Sequence, residues 1–438
     1  MRIMSASPIV GRSTTPPWLV WGLLLAALPA VASADDQTPQ GSQGPQGPSR
    51  ASQLAAEREQ KTTQTSPPER SRVERMLYRY DNQYGAPLIF RSWHGFHLAG
   101  GDFPAGAGTK FGVGFDHELG AATPAVDPGR PNRVAFGALA ARSTRGYTRA
   151  SAAFNVQGLG GAPLDLRVRG QYYKLPQEDF FGLGPDSRKA DRTDYLLEAT
   201  EASADLRWKP ARLYDIAGGV SYVNPRIGSG TDSRFASTEH LFDPAALPGF
   251  AKQPDFLRGD ASVAVDWRDN PLHPHAGGRY GVRVSDFRDQ ELATFDFRRV
   301  ELDAQHYVPL PNRYRTLALR AAAVLTDADE GREVPFFYLP TLGGSHMLRG
   351  FRVFRFRDRN SMVLTAEYRW EAWWALDGAL FVDAGKVAAN RRDLTLRDLD
   401  VSYGVGFRVH SNSAFAARLD LAFSREGFIP LLRFEHVF

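Results

Sequence analysis

Long segments in which apolar and polar residues alternate with a period of two dominate the chain from about residue 93 onward. In the run SMVLTAEYRW, every second residue from Met362 to Trp370 is apolar or aromatic, and the residues between them include Thr365, Glu367 and Arg369. The same alternation recurs in SVAVDWR, VSYGVGFRV and FAARLDLAF. Alternation of this kind predicts β-strands that have one apolar face and one polar face.

The charges on the polar faces separate a membrane barrel from a soluble β-sandwich or propeller, whose strands also alternate. Full charges occupy the polar faces, while Leu, Val and aromatic residues occupy the apolar faces; the charged residues are Asp266, Arg268, Arg408, Arg418 and Asp420. This distribution fits strands whose apolar side faces lipid and whose polar side faces a wet lumen. The predicted fold class is therefore all-β, a transmembrane antiparallel β-barrel.

The number of strands supports the barrel. About 16 alternating segments can be counted, and an even number places both chain ends on one side of the membrane. They begin near Trp93, Thr109, Arg133, Thr148, Leu164, Tyr195, Leu213, Leu257, Gly278, Phe297, Tyr314, Ser361, Leu376, Val401, Ala414 and Phe428. With both termini in the periplasm, the long connections 174–193, 224–255 and 326–359 fall on the outer side.

The tryptophans agree with this topology. Six of them follow the N-terminal segment, and all six are expected at the periplasmic strand ends: Trp93, Trp208, Trp267, Trp370, Trp373 and Trp374. An aromatic girdle at the membrane interface predicts such clustering.

The N-terminal 90 residues divide into an export signal and a polar lead. Residues 1–34 contain two arginines, the apolar run WLVWGLLLAALPAV and an Ala-Ser-Ala site, a pattern typical of a cleaved signal peptide. An N-terminal membrane anchor is the alternative. Residues 35–90 are rich in Gln, Ser, Pro and Thr and predict a flexible periplasmic lead, so the barrel is assigned to residues 91–438.

Composition narrows the function classes. The chain has no cysteine, which excludes disulfides, thiolate metal sites and a thiol nucleophile. Its 53 basic and 49 acidic residues are too balanced for an obvious nucleic-acid binder. His273 and His275 would give only two metal ligands in a Gly-rich turn, and no nucleophile and base stand together. We therefore expect no enzyme activity, metal or cofactor.

The most informative segment is LPTLGGSHMLRGF, residues 339–351, inside the longest outer connection. Gly343, Gly344 and Gly350 allow sharp, closely packed turns. Arg349 lies beside Gly350, so a cation is held on a compact tip. Such a tip can fold into a wet barrel, where the arginine needs a carboxylate partner.

Two carboxylates are candidates for that partner. Glu367 lies on the polar face of the twelfth strand, and Asp383 lies on that of the thirteenth. A turn centred near Ala375 predicts that they stand roughly opposite each other. Two close carboxylates repel without a cation, so Arg349 is expected to bridge them in the lumen.

These motifs resemble the C-terminal barrel of the bacterial surface antigen superfamily, the BamA/TamA type of outer-membrane assembly and translocation protein. The family's sixth outer loop carries a [VL]-R-G-[FY] motif that folds into the lumen, and strands 12 and 13 carry an acidic residue and an F-x-D-x-G motif. The matching positions are Leu348, Arg349, Gly350 and Phe351; Glu367; and Phe381, Asp383 and Gly385. The likeness covers residues 179–438, with the terminal Phe438 resembling an assembly signal and His436 departing from it.

The resemblance implies a function in the outer membrane of a Gram-negative bacterium. The expected role is to assist insertion or translocation of proteins or lipids; the alternatives are a gated or passive pore and a structural docking barrel. The implied partners are outer-membrane lipid and lipopolysaccharide, a client protein and a periplasmic partner protein, with no nucleic acid. Residues 35–90 are expected to be too short for one of the family's periplasmic POTRA domains.

The two ends of the barrel suggest a weak seam. Pro430 in the last strand removes one backbone donor, and Gly100 and Gly101 lie beside the first strand. Related barrels use the junction of first and last strands, which here would involve Phe438, as a lateral gate. The alternative is that Pro430 lies at an unpaired lip of its strand.

Overall fold

The computed structural model describes residues 93–100, 103–104, 106–120, 133–271, 273–311, 315–373, 376–410 and 415–433. The signal peptide and polar lead predicted for residues 1–90 lie outside these ranges, as do Gly101, Trp374, His436 and Phe438. Within the ranges, helices long and apolar enough to cross a membrane are absent.

Sixteen strands form one antiparallel sheet in which each strand pairs with its neighbours along the chain. Their bounds are β1 (Phe96–Leu98), β2 (Lys110–Gly120), β3 (Arg133–Ser143), β4 (Thr148–Gln157), β5 (Leu164–Phe180), β6 (Thr193–Trp208), β7 (Tyr214–Ser229), β8 (Phe256–Asp266), β9 (Gly277–Asp289), β10 (Phe297–Pro309), β11 (Arg315–Ala328), β14 (Asn360–Trp373), β15 (Leu376–Ala388), β16 (Asp400–His410), β17 (Phe415–Ser424) and β18 (Gly427–Arg433). Two further strands, β12 (Thr341–Leu342) and β13 (Phe356–Arg357), pair with each other in the connection between β11 and β14.

The strand prediction is confirmed. The predicted starts differ from the observed ones by three residues at β1 and by at most two elsewhere. The twelfth and thirteenth predicted strands are β14 and β15, because β12 and β13 lie inside the connection between β11 and β14. Amphipathic alternation located the strands well because it is a local property of each segment.

The sheet has one apolar face and one charged face. Leu380 and Val382 of β15 are about half exposed, whereas Phe381 and Asp383 between them are buried. The same contrast separates exposed Tyr403 from the buried charges of the neighbouring strands. An apolar outer face and a charged inner face are what a barrel in lipid requires.

The described tryptophans share one edge of the sheet. Trp208 ends β6 opposite Leu164 at the start of β5, and Trp370 lies opposite Arg315 at the start of β11. Trp267 follows β8. We call this the turn edge, and the opposite edge, which carries connections 181–192, 230–255, 329–359 and 425–426, the loop edge.

At the loop edge the long connections share an aromatic core. The ring of Phe336 lies 5.4 Å from that of Phe180 and 5.0 Å from that of Tyr195, measured between centroids. Arg357 donates to the Tyr195 hydroxyl and to the Phe336 carbonyl, both at 3.0 Å. A short helix, α1 (Thr238–Leu241), lies in the connection before β8. This packing fixes the base of connection 329–359, hereafter the β11–β14 loop.

Candidate functional site

The tip of the β11–β14 loop turns sharply at two glycines. Gly343 and Gly344 have φ values of 114° and 87°, in the left-handed region that favours glycine. A Cβ on Gly343 would collide with the carbonyl oxygen of Arg352. The turn therefore brings the two arms of the loop together. β12 in the first arm pairs with β13 in the second.

Apolar side chains anchor the tip to the barrel wall. Leu348 and Phe351 of the predicted motif are fully buried, in a cluster with Phe356 of the loop and Val363 and Val387 of β14 and β15. Burying a leucine or phenylalanine contributes roughly 1.5–3 kcal/mol relative to exposure. The two residues that flank Arg349 and Gly350 thus hold the tip against the inner face.

Arg349 forms the predicted bridge between Glu367 and Asp383. Its Nε and Nη2 donate to the two oxygens of Asp383 at 2.8 and 2.7 Å, and its Nη1 donates to Glu367 Oε2 at 2.7 Å. All three side chains are fully buried. The guanidinium carbon lies 3.4 Å from the centroid of the Phe381 ring, so the phenylalanine of the F-x-D-x-G motif stacks on the cation.

The predicted register of the two carboxylates was wrong. Glu367 lies opposite Phe381, and Asp383 lies opposite Thr365. The pairs of β14 and β15 are centred one residue earlier than predicted, and their register also shifts between Glu371 and Trp373. The offset keeps both carboxylates on the inner face as diagonal neighbours, which long side chains can still bridge.

Gly385, the last residue of the F-x-D-x-G motif, lies where the loop touches β15. A Cβ on Gly385 would stand 2.7 Å from the Met362 carbonyl oxygen and 3.2 Å from Leu342 Cδ1. Glycine therefore allows β12 of the loop to lie close against the barrel wall at this position.

The sequence did not identify further members of the buried charge network. Glu367 Oε1 also accepts hydrogen bonds from Arg369 and Arg408, both at 2.8 Å. Asp420 lies 3.1 Å from both Arg408 and Arg418. Alternation had placed several of these charges on the polar face, but their proximity depends on cross-strand register that a single segment does not reveal.

Three arginines of the last strands stand side by side on the inner face. Arg408 pairs in register with Arg418, and Arg418 with Arg433. Like charges directly opposite are destabilising. Asp420 of β17 is one acceptor for these three arginines, which we call the arginine row. The loop supplies two more: Ser345 O accepts from Arg418 and Ser345 Oγ from Arg433, each at 3.0 Å.

The loop contacts the terminal hairpin β17–β18 at two more positions along its length. Ser424 Oγ donates to the Gly350 carbonyl at 2.7 Å, and Arg355 Nε donates to Glu426 Oε1 at 2.6 Å. Together with Ser345, these contacts follow the hairpin from the arginine row to its turn. The loop therefore supports the strands at the end of the sheet as well as β14 and β15.

The predicted seam residues lie at the ends of the strand order. Pro430 stands in β18 opposite Leu421, and Gly100 follows β1. Within the described ranges, β1 pairs only with β2 and β18 only with β17. Proline is tolerated on such an end strand, and the gating role of this seam stays a prediction.

Gly350→Val tests the close approach of the loop to the hairpin. A Cβ at Gly350 would stand 2.6 Å from Ser402 Cβ, 2.7 Å from the Phe423 carbonyl oxygen and 2.8 Å from Ser424 Cβ. We expect a loss of about 1–3 kcal/mol of stability through overpacking, seen as a lower unfolding midpoint on heat-modifiability gels. Gly170→Val, where nothing lies within 4 Å, is the control. Equal midpoints for the two variants would contradict the packing.

Comparison with known proteins fits this architecture. A family model described as the Omp85 superfamily domain matches residues 198–427. The crystal structure of BamA from Haemophilus ducreyi lacking POTRA domains 1–3 is similar in fold, with a TM-score of 0.54 and 15% identity over 76% of this chain and 69% of that one. CdiB from Acinetobacter baumannii matches with a TM-score of 0.44 and 11% identity over 76% of this chain and 57% of that one. Because the family model covers more than half of its length, the chain belongs to the Omp85 superfamily and is an outer-membrane β-barrel.

Proposed function

We propose that this protein assists the insertion or translocation of proteins, or of lipids, at the outer membrane. The buried contact of Arg349 with Glu367 and Asp383 carries the proposal, because it holds a loop inside a lumen that a simple pore would leave free. The loop's further contacts with the terminal hairpin support it, since they link the loop to the end of the sheet.

The proposed arrangement places the loop edge outside the cell, with the turn edge and both termini in the periplasm. Outer-membrane lipid and lipopolysaccharide then surround the apolar face, while a client protein and a periplasmic partner approach from the turn edge. The proposal contains no enzymatic step. His273 Nε2 lies 2.8 Å from Asp377 Oδ2, which fits a structural contact between the β8–β9 connection and the start of β15.

Quantitative proteomics of outer membranes from a strain lacking the gene tests this function. We expect one or a few outer-membrane or surface proteins to fall several-fold while their transcripts stay constant. A gene copy with Arg391→Gln, which removes an exposed ion pair with Asp327, should restore them. A copy with Arg349→Ala should not. An unchanged surface proteome and lipid profile would contradict the proposal.

A gated or passive pore is the second candidate, favoured by the charged inner face of the strands. Planar-bilayer recordings separate it from the first. A plugged, flickering channel that conducts steadily only in Arg349→Ala fits the inserted loop, whereas large steady conductance of the wild type favours the pore. If the protein does not conduct and its deletion causes no loss of a client, a structural docking barrel is the remaining candidate.

A further inference from the structure

A cleft of about 490 Å³ opens at the loop edge, between the β5–β6 connection, the β11–β14 loop and the turn of the terminal hairpin. Ser187, Arg188 and Lys189 form one wall, and Arg355 and Glu426 form the other. Its volume falls in the range of small-molecule sites, about 300–1,000 Å³. The cleft is separate from the buried network around Arg349.

The lining of the cleft is cationic. The lining holds four basic and two acidic side chains: Arg188, Lys189, Arg355 and Arg425 against Asp186 and Glu426. Two more carboxylates, Asp191 and Asp400, lie just outside the lining and pair with Arg188 and Arg425. Lys189 Nζ donates to the backbone carbonyl of Glu426 at 2.7 Å, a neutral acceptor that does not offset its charge. Lys189 therefore offers its charge to an anion, which can also take the place of Asp191 and Asp400 beside Arg188 and Arg425.

Two of the cations are free to change partners. The side chain of Arg188 is 77% exposed in its pair with Asp191, and that of Arg425 is 59% exposed in its pair with Asp400. Hydrogen bonds to these carboxylates raise the pKa of both arginines, so both stay charged. Exposed pairs of this kind contribute about 0–1 kcal/mol, so a better anionic ligand can displace them.

Glu426 adds a second requirement for a ligand. Its side chain is 9% exposed, and Oε1 accepts from Arg355, while Oε2 has no hydrogen-bond partner among the described residues. A buried acceptor without a donor costs free energy. Oε2 is closed to solvent in this structure, so a ligand hydroxyl group beside the anion satisfies it when the Glu426 carboxylate turns toward the cleft.

We propose that this cleft binds a phosphorylated saccharide. The phosphate contacts Arg188, Lys189 and Arg425, and a sugar hydroxyl donates to Glu426 Oε2. Two sources offer this chemistry, the phosphorylated core of a lipopolysaccharide and a free sugar phosphate. A bound ligand would join the β5–β6 connection to the terminal hairpin, a binding function independent of the proposed assembly role.

Isothermal titration of the full-length protein in nanodiscs with glucose 6-phosphate tests the site. We expect saturable binding about tenfold tighter than that of glucose or inorganic phosphate, because only the sugar phosphate uses both the cations and Glu426. Arg188→Gln/Lys189→Gln should weaken it at least about tenfold. Arg391→Gln/Arg392→Gln, which removes two adjacent exposed cations from another loop-edge connection, should leave it unchanged.

Three outcomes overturn the proposal: no saturable binding, equal affinity in both double variants, or inorganic phosphate binding as tightly as glucose 6-phosphate. Glu426→Gln provides a further check, since it should abolish the preference for sugar phosphate over phosphate while phosphate still binds. Competition separates the sources. Lipopolysaccharide with a phosphorylated core displaces glucose 6-phosphate if the lipid is the ligand, and its dephosphorylated form does not. If neither form competes, the ligand is the free sugar phosphate.

Discussion

Arg349→Ala is expected to destabilise the folded barrel by about 3–5 kcal/mol, the usual cost of removing one partner from a buried ion pair. The arginine holds two fully buried carboxylates at 2.7 Å each, and without it Glu367 and Asp383 would repel each other. The loop tip would also lose its charged anchor and keep the apolar contacts of Leu348 and Phe351 and the hydrogen bonds of Ser345. We therefore expect both a less stable barrel and a more mobile loop.

Heat-modifiability of the refolded protein in detergent measures the first effect, and protease sensitivity of the loop measures the second. Arg349→Lys should recover little, because an ammonium group cannot make the two parallel bonds to Asp383. Arg391→Ala is the control, since its pair with Asp327 lies half exposed outside the network. If Arg349→Ala unfolds at the same temperature as wild type and keeps a protected loop, the network does not anchor the loop.

The fold could be predicted from the sequence because each strand carries its own pattern of alternating apolar and polar residues. Alternation within a segment such as SMVLTAEYRW predicts a strand and also indicates which of its faces points to the polar lumen. The long connections and the tryptophans then assigned the two edges. None of these inferences required knowledge of which residue pairs with which across the sheet.

The site could be predicted only in part, because its contacts depend on which residues pair across the sheet. Arg349, Glu367 and Asp383 were identified because a motif and strand parity together placed them on the inner face. Arg408 and Asp420 were missed, since their contacts depend on the register of β16 with β17. A register error of the size made at Ala375 moves a side chain by several ångströms along the strand, which decides whether two charges touch.

The role of Ser345 could not be predicted either. A serine beside two glycines reads as a turn residue. Its contacts with Arg418 and Arg433 depend on how far the loop enters the barrel, which long-range packing determines. The cleft with Arg355 and Glu426 has the same origin, since its walls come from three separate connections.

Glu367→Ala is expected to lower stability by an amount comparable to Arg349→Ala, again about 3–5 kcal/mol, although it acts on a different part of the barrel. Glu367 accepts from Arg349, Arg369 and Arg408, so its loss takes one carboxylate contact from each of three buried guanidinium groups. The cost should fall mainly on the wall between β14 and β17. Glu371→Ala, on the same strand but exposed at the turn edge, should change little.

A double-mutant cycle identifies whether the two residues act as one unit. If Arg349 and Glu367 interact directly, Arg349→Ala/Glu367→Ala should lose less stability than the two single changes combined. Each single change leaves the partner's charge unpaired, and the double change removes both charges. The remaining arginine contacts of Glu367 predict incomplete compensation, with the double variant still below wild type. Strict additivity of the two unfolding free energies would show that the 2.7 Å contact contributes no coupling. Asp383 and the apolar residues of the loop would then hold the tip without help from Glu367, and the Glu367 carboxylate would serve only the arginines of the barrel wall.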